Sequence, residues 1–144
     1  MPARFYEQDV QARLKGKRRL SAFLDSLVQQ HRPGTKQVRL DYIFCSDAFL
    51  LEMNRQFLDH DTLTDIITFD LAEDPGILRG EIYISTDRVL ENASKFRTSY
   101  PDELHRVIFH GVLHLCGFKD KKKADREQMR RQEDLALEAY GRFH

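Results

Sequence analysis

His110-Gly111-Val112-Leu113-His114-Leu115-Cys116-Gly117-Phe118-Lys119-Asp120 is the stretch on which the reading of this chain turns. With Val107, Ile108 and Phe109 ahead of it, the segment is apolar on nearly every side, so it reads as a central buried helix. Two histidines interrupt that surface. Residues four apart in an α-helix lie one above the other, so the imidazoles of His110 and His114 can converge on a single ion. Gly117 supplies the stop. Glycine enters the left-handed conformation cheaply, and the chain can then fold back and carry Asp120 towards the same ion. Two imidazoles and a carboxylate leave a coordination position open, which suits catalysis better than structural closure. Such a pair of histidines also occurs as ordinary polar residues on a helix face. Burying two imidazoles without partners is costly, however, and coordination is one way to satisfy them. Glycine, not glutamate, follows the first histidine, so the metalloprotease pattern H-E-x-x-H, with its built-in general base, is absent.

Working outward, Ser99, Pro101, Asp102 and Glu103 open this helix with a capping hydroxyl, a tolerated first-turn proline and acids near the positive end. Downstream, residues from about Ala124 to Tyr140 form an amphipathic outer helix with Met129, Leu135, Ala136, Leu137 and Ala139 to bury, ended by Gly141. Upstream, Ser85 caps a helix running to about Phe96. Strands Asp65 to Phe69 and Glu81 to Ile84 flank the turn Glu73-Asp74-Pro75-Gly76 and pair as a hairpin with a long loop. Ser46 caps a helix whose stripe Phe49, Leu50, Met53 and Phe57 is expected to be core. Before it come a strand at Ala3 to Gln8, a helix from Lys17 to His31 and an alternating strand through Val38, Leu40, Tyr42 and Phe44. The order β-α-β-α-β-β-α-α-α combines an early crossover, a central hairpin and terminal helices. It predicts one α+β domain over residues 1–144 with a mixed four-stranded sheet.

Composition bounds the function. The 144 residues suffice for one core and not two. Lysine and arginine (23) balance aspartate and glutamate (23), so no overall basic excess announces a nucleic-acid partner, and any polyanion must be held locally. Cys45 and Cys116 sit in apolar runs, as expected of free thiols in a reducing compartment. No apolar run approaches the ~18 residues of a membrane span, and a soluble, cytoplasmic protein is expected.

Three ordered motifs resemble one family. His110 to Phe118 is similar to the signature of the YbeY endoribonucleases; Thr64-Asp65-Ile66-Ile67-Thr68-Phe69 and Gly80-Glu81-Ile82-Tyr83-Ile84-Ser85 resemble two of its strands, and Asn54 to Phe57 agrees as well. The resemblance spans about residues 40 to 135. It implies a zincin-like α+β fold, a zinc-type ion and hydrolysis of single-stranded RNA. It further implies work on ribosomal RNA, at the 3′ end of the small-subunit RNA, and in ribosome quality control. RNA and the ribosome or its small subunit are the implied partners, with no membrane.

Two residues depart from the family. Asp120 stands where a third histidine is usual, and a harder, charged ligand weakens selectivity for zinc over other divalent transition metals. Leu58 stands where the family has an arginine, and Arg55, three residues earlier, is the nearest replacement for binding phosphate and developing charge. The site expected from these readings has His110, His114 and Asp120 as metal ligands. Arg55 and Asp65 are the catalytic candidates, with His60 as another proton shuttle, and Arg55, Lys119 and Lys121, within the run to Lys123, hold the RNA backbone. A hydrolase of another substrate class, or a ribosome-associated factor with a structural metal, is the alternative.

Overall fold

The computed structural model describes residues 1–144. Its elements are β1 (Ala3–Glu7), α1 (Lys17–His31), β2 (Gln37–Cys45), α2 (Asp47–Leu58), β3 (Ile66–Asp70), β4 (Ile77–Ser85), α3 (Thr86–Lys95), α4 (Tyr100–Leu115) and α5 (Lys123–Arg142). This is the expected order. The sheet runs β1-β2-β4-β3, with β1 and β4 parallel to β2, and β3 antiparallel to β4. The first crossover through α1 forces the parallel pair; β4 begins at Ile77, ahead of the expected Glu81, so the hairpin loop is shorter than expected and holds Pro75 and Gly76. The class is α+β with a mixed sheet, as the sequence indicates.

Strand alternation sends Leu40, Tyr42 and Phe44 of β2 and Leu78, Ile82 and Ile84 of β4 to one face, where all are buried. Helices α1 and α4 cover that face. Helix α4 buries Leu104, Val107, Ile108, Phe109, Val112, Leu113 and Leu115, which makes it the central helix of the domain. The hydroxyl of buried Tyr42 donates to the carbonyl of Ile108 at 2.8 Å, fixing helix against sheet without an orphaned polar group.

Gly111 sets how closely they approach. A Cβ there would sit 2.9 Å from Ile82 Cγ2 and 3.2 Å from Ile66 Cδ1. Any side chain at 111 would point into the sheet, which is the local reason no glutamate of the H-E-x-x-H kind fits here. Gly117, at φ +110°, ends the helix by the expected left-handed turn. The Phe118 N–H donates to Leu113 O at 3.1 Å and the Gly117 N–H to His114 O at 3.0 Å, which together satisfy the last carbonyls and reverse the chain.

Two sequence expectations need correction. On α2 only Leu50 of the apolar stripe is buried; Phe49 and Met53 are partly covered and Phe57 is 63% exposed. Helix α2 covers just one end of the second sheet face, around Cys45 and Ile67, so its last turn overhangs the edge strand. Buried Asn54 instead pins the following loop, its amide donating to Thr62 O at 2.9 Å. Helix α5 does not stop at Gly141, which stays out of the left-handed region, and it buries Met129, Glu133, Ala136 and Tyr140, not Leu135 or Ala139. That stripe follows the helical repeat facing α4.

Candidate active site

Helix α4 presents His110 at its C-terminal half, and the turn at Gly117 returns the chain so that Asp120 Oδ2 lies 3.1 Å from His110 Nε2. From the other side, α5 supplies Glu133, whose Oε2 lies 2.7 Å from His110 Nδ1. An ionised carboxylate only accepts, so Nδ1–H donates to Glu133 and Nε2 is the nitrogen turned towards Asp120. Glu133 is 6% exposed and is itself held by Arg106, one helical turn before His110, at 3.1 Å. Arg106 also reaches Asp134 at 2.6 Å. The imidazole is therefore fixed from behind by a buried carboxylate whose own charge is neutralised.

The electrostatics follow from this packing. Burial pulls the His110 pKa down, but the Glu133 hydrogen bond and the charges of Glu133, Asp120 and Asp65 outweigh it and hold the ring above its usual value. Burial pushes the Asp65 carboxyl up, with His110 partly opposing. The same desolvation raises Glu103, opposed in part by Arg106. Cys116, a free thiol beside the turn, is pushed up to about 11 by burial, which makes it a poor nucleophile at neutral pH.

Of the three expected metal ligands, the structure brings two together. A tetrahedral ion with bonds of ~2.0–2.2 Å separates neighbouring ligand atoms by roughly 3.3–3.6 Å, slightly more than the His110–Asp120 gap of 3.1 Å. His114 is exposed, one turn further on, and no three His, Cys, Asp or Glu side chains converge closely enough to hold an ion. His110 and Asp120 thus stand near the separation of two neighbouring ligands of one ion, Glu133 orients the ring from behind, and a third protein ligand requires the His114 side chain to turn.

Two cavities meet at His110. The outer one, about 570 Å³, is lined by His110, Asp120, Lys123, Arg126, Arg130 and Glu133 among others. The inner one, about 200 Å³, adds Asp65 and Glu103. Asp65 therefore shares a cavity with His110. Arg55, Lys119 and Lys121 line neither cavity: Arg55 is on the surface, paired with Asp61 at 2.5 Å and Glu52 at 3.9 Å, and both lysines are exposed, as is His60.

Sequence reasoning missed Glu133, Arg106, Arg126, Arg130 and Glu103. One signal was present: at the spacing 129, 133, 136, 140 a glutamate occupies a position of the buried stripe of α5. A charge on a core stripe asks for a partner.

Residues 5–141 match the model of the family described as endoribonuclease YbeY. The chain belongs to this family. Among curated relatives named endoribonuclease YbeY, that of Cytophaga hutchinsonii is 46% identical over 92% of each chain. That of Parabacteroides distasonis is 44% identical over 95% of this chain and 94% of its own. The Amoebophilus asiaticus relative is 40% identical over 92% of this chain and 89% of its own. A solution structure of a Thermotoga maritima protein superposes with a TM-score of 0.61 at 28% identity, covering 96% of this chain and 88% of that one. The resemblance read from the three motifs is thus borne out, and the relatives are enzymes that hydrolyse RNA. No helix is long and apolar enough to cross a membrane.

Proposed function

We propose that this chain is a metal-dependent endoribonuclease that cuts single-stranded RNA, and that the outer cavity between α4 and α5 receives the scissile phosphodiester. The observation that carries this reading is the fixed imidazole of His110, gripped behind by Glu133 at 2.7 Å and facing Asp120 at 3.1 Å in front. Buried carboxylate–histidine pairs of this kind orient a metal-binding ring and raise its basicity. His110, Asp120 and a rotated His114 would hold the ion. A divalent cation there supplies a Lewis acid for a phosphoryl oxygen and a water of lowered pKa. Zinc is the first choice and other divalent transition metals the second, because Asp120 adds oxygen character to the ligand set.

The chain's own residues do the rest. Glu133 holds the His110 ring and Arg106 holds Glu133. Lys123, Arg126 and Arg130 line the outer cavity alongside Asp120, Glu127 and Glu133, and these three cations are the groups there that can pair with a phosphate backbone. Asp65, half-buried in the inner cavity beside His110, is held above the ordinary carboxylate range by burial and is placed to carry a proton. Arg55, Lys119 and Lys121 lie outside both cavities and are proposed as contacts to the flanking strand; for Arg55 this requires leaving Asp61. Ribosomal RNA maturation on the small subunit, in the cytoplasm, is the setting we propose, on the strength of the family.

Elemental analysis of the purified protein, followed by incubation with single-stranded ribosomal RNA fragments, tests the reading. About one divalent metal per chain and internal cuts lost on chelation are expected. A metal-free preparation that no added divalent ion stabilises or activates would overturn it.

A further inference from the structure

The inner cavity has chemistry that the hydrolytic step leaves unused. It shares His110, Arg130 and Glu133 with the outer cavity, and its remaining lining includes Asp65, Asn92, Phe96, Glu103 and Arg106. Glu103 is 5% exposed, yet no protein group hydrogen-bonds its carboxyl, and its oxygens open onto the cavity. No protein donor meets these oxygens, so whatever fills the cavity must supply their hydrogen bonds. These acids are not grouped closely enough to be a second cation site. Phe96, at the end of α3, is 55% exposed and offers a ring to stack on. At about 200 Å³ the space is below the ~300 Å³ at which sites for drug-sized ligands begin, and it suits one planar ring system with its sugar and phosphate left outside.

We infer that this inner cavity is a nucleobase pocket that selects guanine, placing the phosphate of a guanosine in the outer cavity beside His110 and Asp120. The inference rests on the ribonuclease reading for its substrate class. Guanine alone presents an imino N–H and an exocyclic amine side by side, which a carboxylate takes up bidentately. Adenine and cytosine offer one amine each, and the imino N–H of uracil is flanked by carbonyl oxygens that a carboxylate repels. Glu103 provides the acceptor; Arg130, which lines both cavities, provides a fork for the O6 and N7 edge. Phe96 supplies the stacking face. Because the pocket uses the pairing edge of the base, the base must be unpaired and turned out of its stack, so single-strandedness becomes a requirement of the site.

The test titrates the protein as purified with the four nucleoside 5′-monophosphates and, in parallel, measures cleavage of single-stranded RNAs that differ only in the position of one guanosine. Guanosine monophosphate should bind at least about tenfold more tightly than the other three, the order of one good base-reading pair. Cuts should track the guanosine. Glu103→Gln, which keeps the shape, should erase the preference, and Phe96→Ala, at an exposed position, should weaken all four nucleotides together. Equal binding of the four, or a Glu103→Gln variant that keeps guanine selectivity, overturns the pocket. Two further outcomes separate the pocket from the reading beneath it. Selective guanosine binding with no RNA cut under any divalent metal upholds the pocket and sinks the ribonuclease reading. RNA cut with no guanosine preference does the reverse.

Discussion

The two flanks of the molecule that carry candidate catalytic residues are built on different terms. Around His110, polar groups from α4, the turn after it and α5 meet behind a buried surface: Glu133 bonds the ring and Arg106 bonds Glu133. Around Arg55, the cation pairs with Asp61 and Glu52 within its own stretch of chain, and Phe57 beside it is 63% exposed. The difference teaches that a fixed, desolvated side chain needs partners from elements far apart in sequence. Local pairing on an exposed helix gives neither, because solvent screens the charges and leaves the rotamers free.

Glu133→Ala has the largest expected effect. It leaves the His110 ring unheld and the Arg106 charge half-paired in a buried setting, with an expected cost of about 3 kcal/mol and a ~10–100-fold loss of RNA cleavage. Thermal melting and single-turnover assays read the two effects; a variant as stable and active as the parent would remove Glu133 from the site. Gly111→Ala comes next. Its methyl must displace Ile82 and Ile66, for an expected ~1–3 kcal/mol, visible in denaturant midpoints, with His110 shifted outward and activity lowered in step.

A third prediction concerns the ligand that departs from the family. Asp120→His should raise zinc affinity by about tenfold or more and narrow the range of metals bound, as read by competition with a chromophoric chelator. Unchanged affinity would show that residue 120 is not a ligand.

A fourth concerns His105, on the opposite side of α4 between Phe109 and Tyr140. Burial, opposed by Asp102, holds its pKa below the ordinary 6.5. Its neutral form therefore contributes stability above pH ~6.5, and that contribution is lost as pH falls through the window down to the folded-state pKa, because the unfolded chain binds the proton first. The raised carboxyls of Asp65 and Glu103 act with the opposite sign. His105→Gln should flatten the acid-side fall in melting temperature relative to the parent, and an identical profile would refute the assignment. The smallest effect belongs to Arg55→Ala: with a solvated pair removed, stability should change by less than ~0.5 kcal/mol, and cleavage should fall only if Arg55 leaves Asp61 for the RNA.

The order of elements was legible because its signals are local. Ser46, Ser85 and Ser99 cap three helices through their own side chains, accepting from Phe49, Arg88 and Asp102, and Gly117 stops the fourth helix by adopting φ +110°. The meeting of Asp120 with His110 was legible for the same reason, since one turn of chain joins them. Glu133 and Arg130 were not. A charged residue on an amphipathic helix is ordinarily solvated, and only the packing of α5 on α4 turns this glutamate inward. Phe57 failed in the other direction: its spacing marks it as core, but only Phe69 of the edge strand β3 meets its ring, edge-on, and the rest stays exposed.

By itself, then, the sequence determined the helices, strands and hairpin, the family, and the histidine that the site is built on, because backbone propensity, caps and periodicity act over a few residues. The tertiary structure alone decided which carboxylate holds that histidine and which exposed-looking charges face a cavity. It also decided that a buried glutamate looks into an inner pocket, because desolvation and long-range pairing exist only once distant elements have packed.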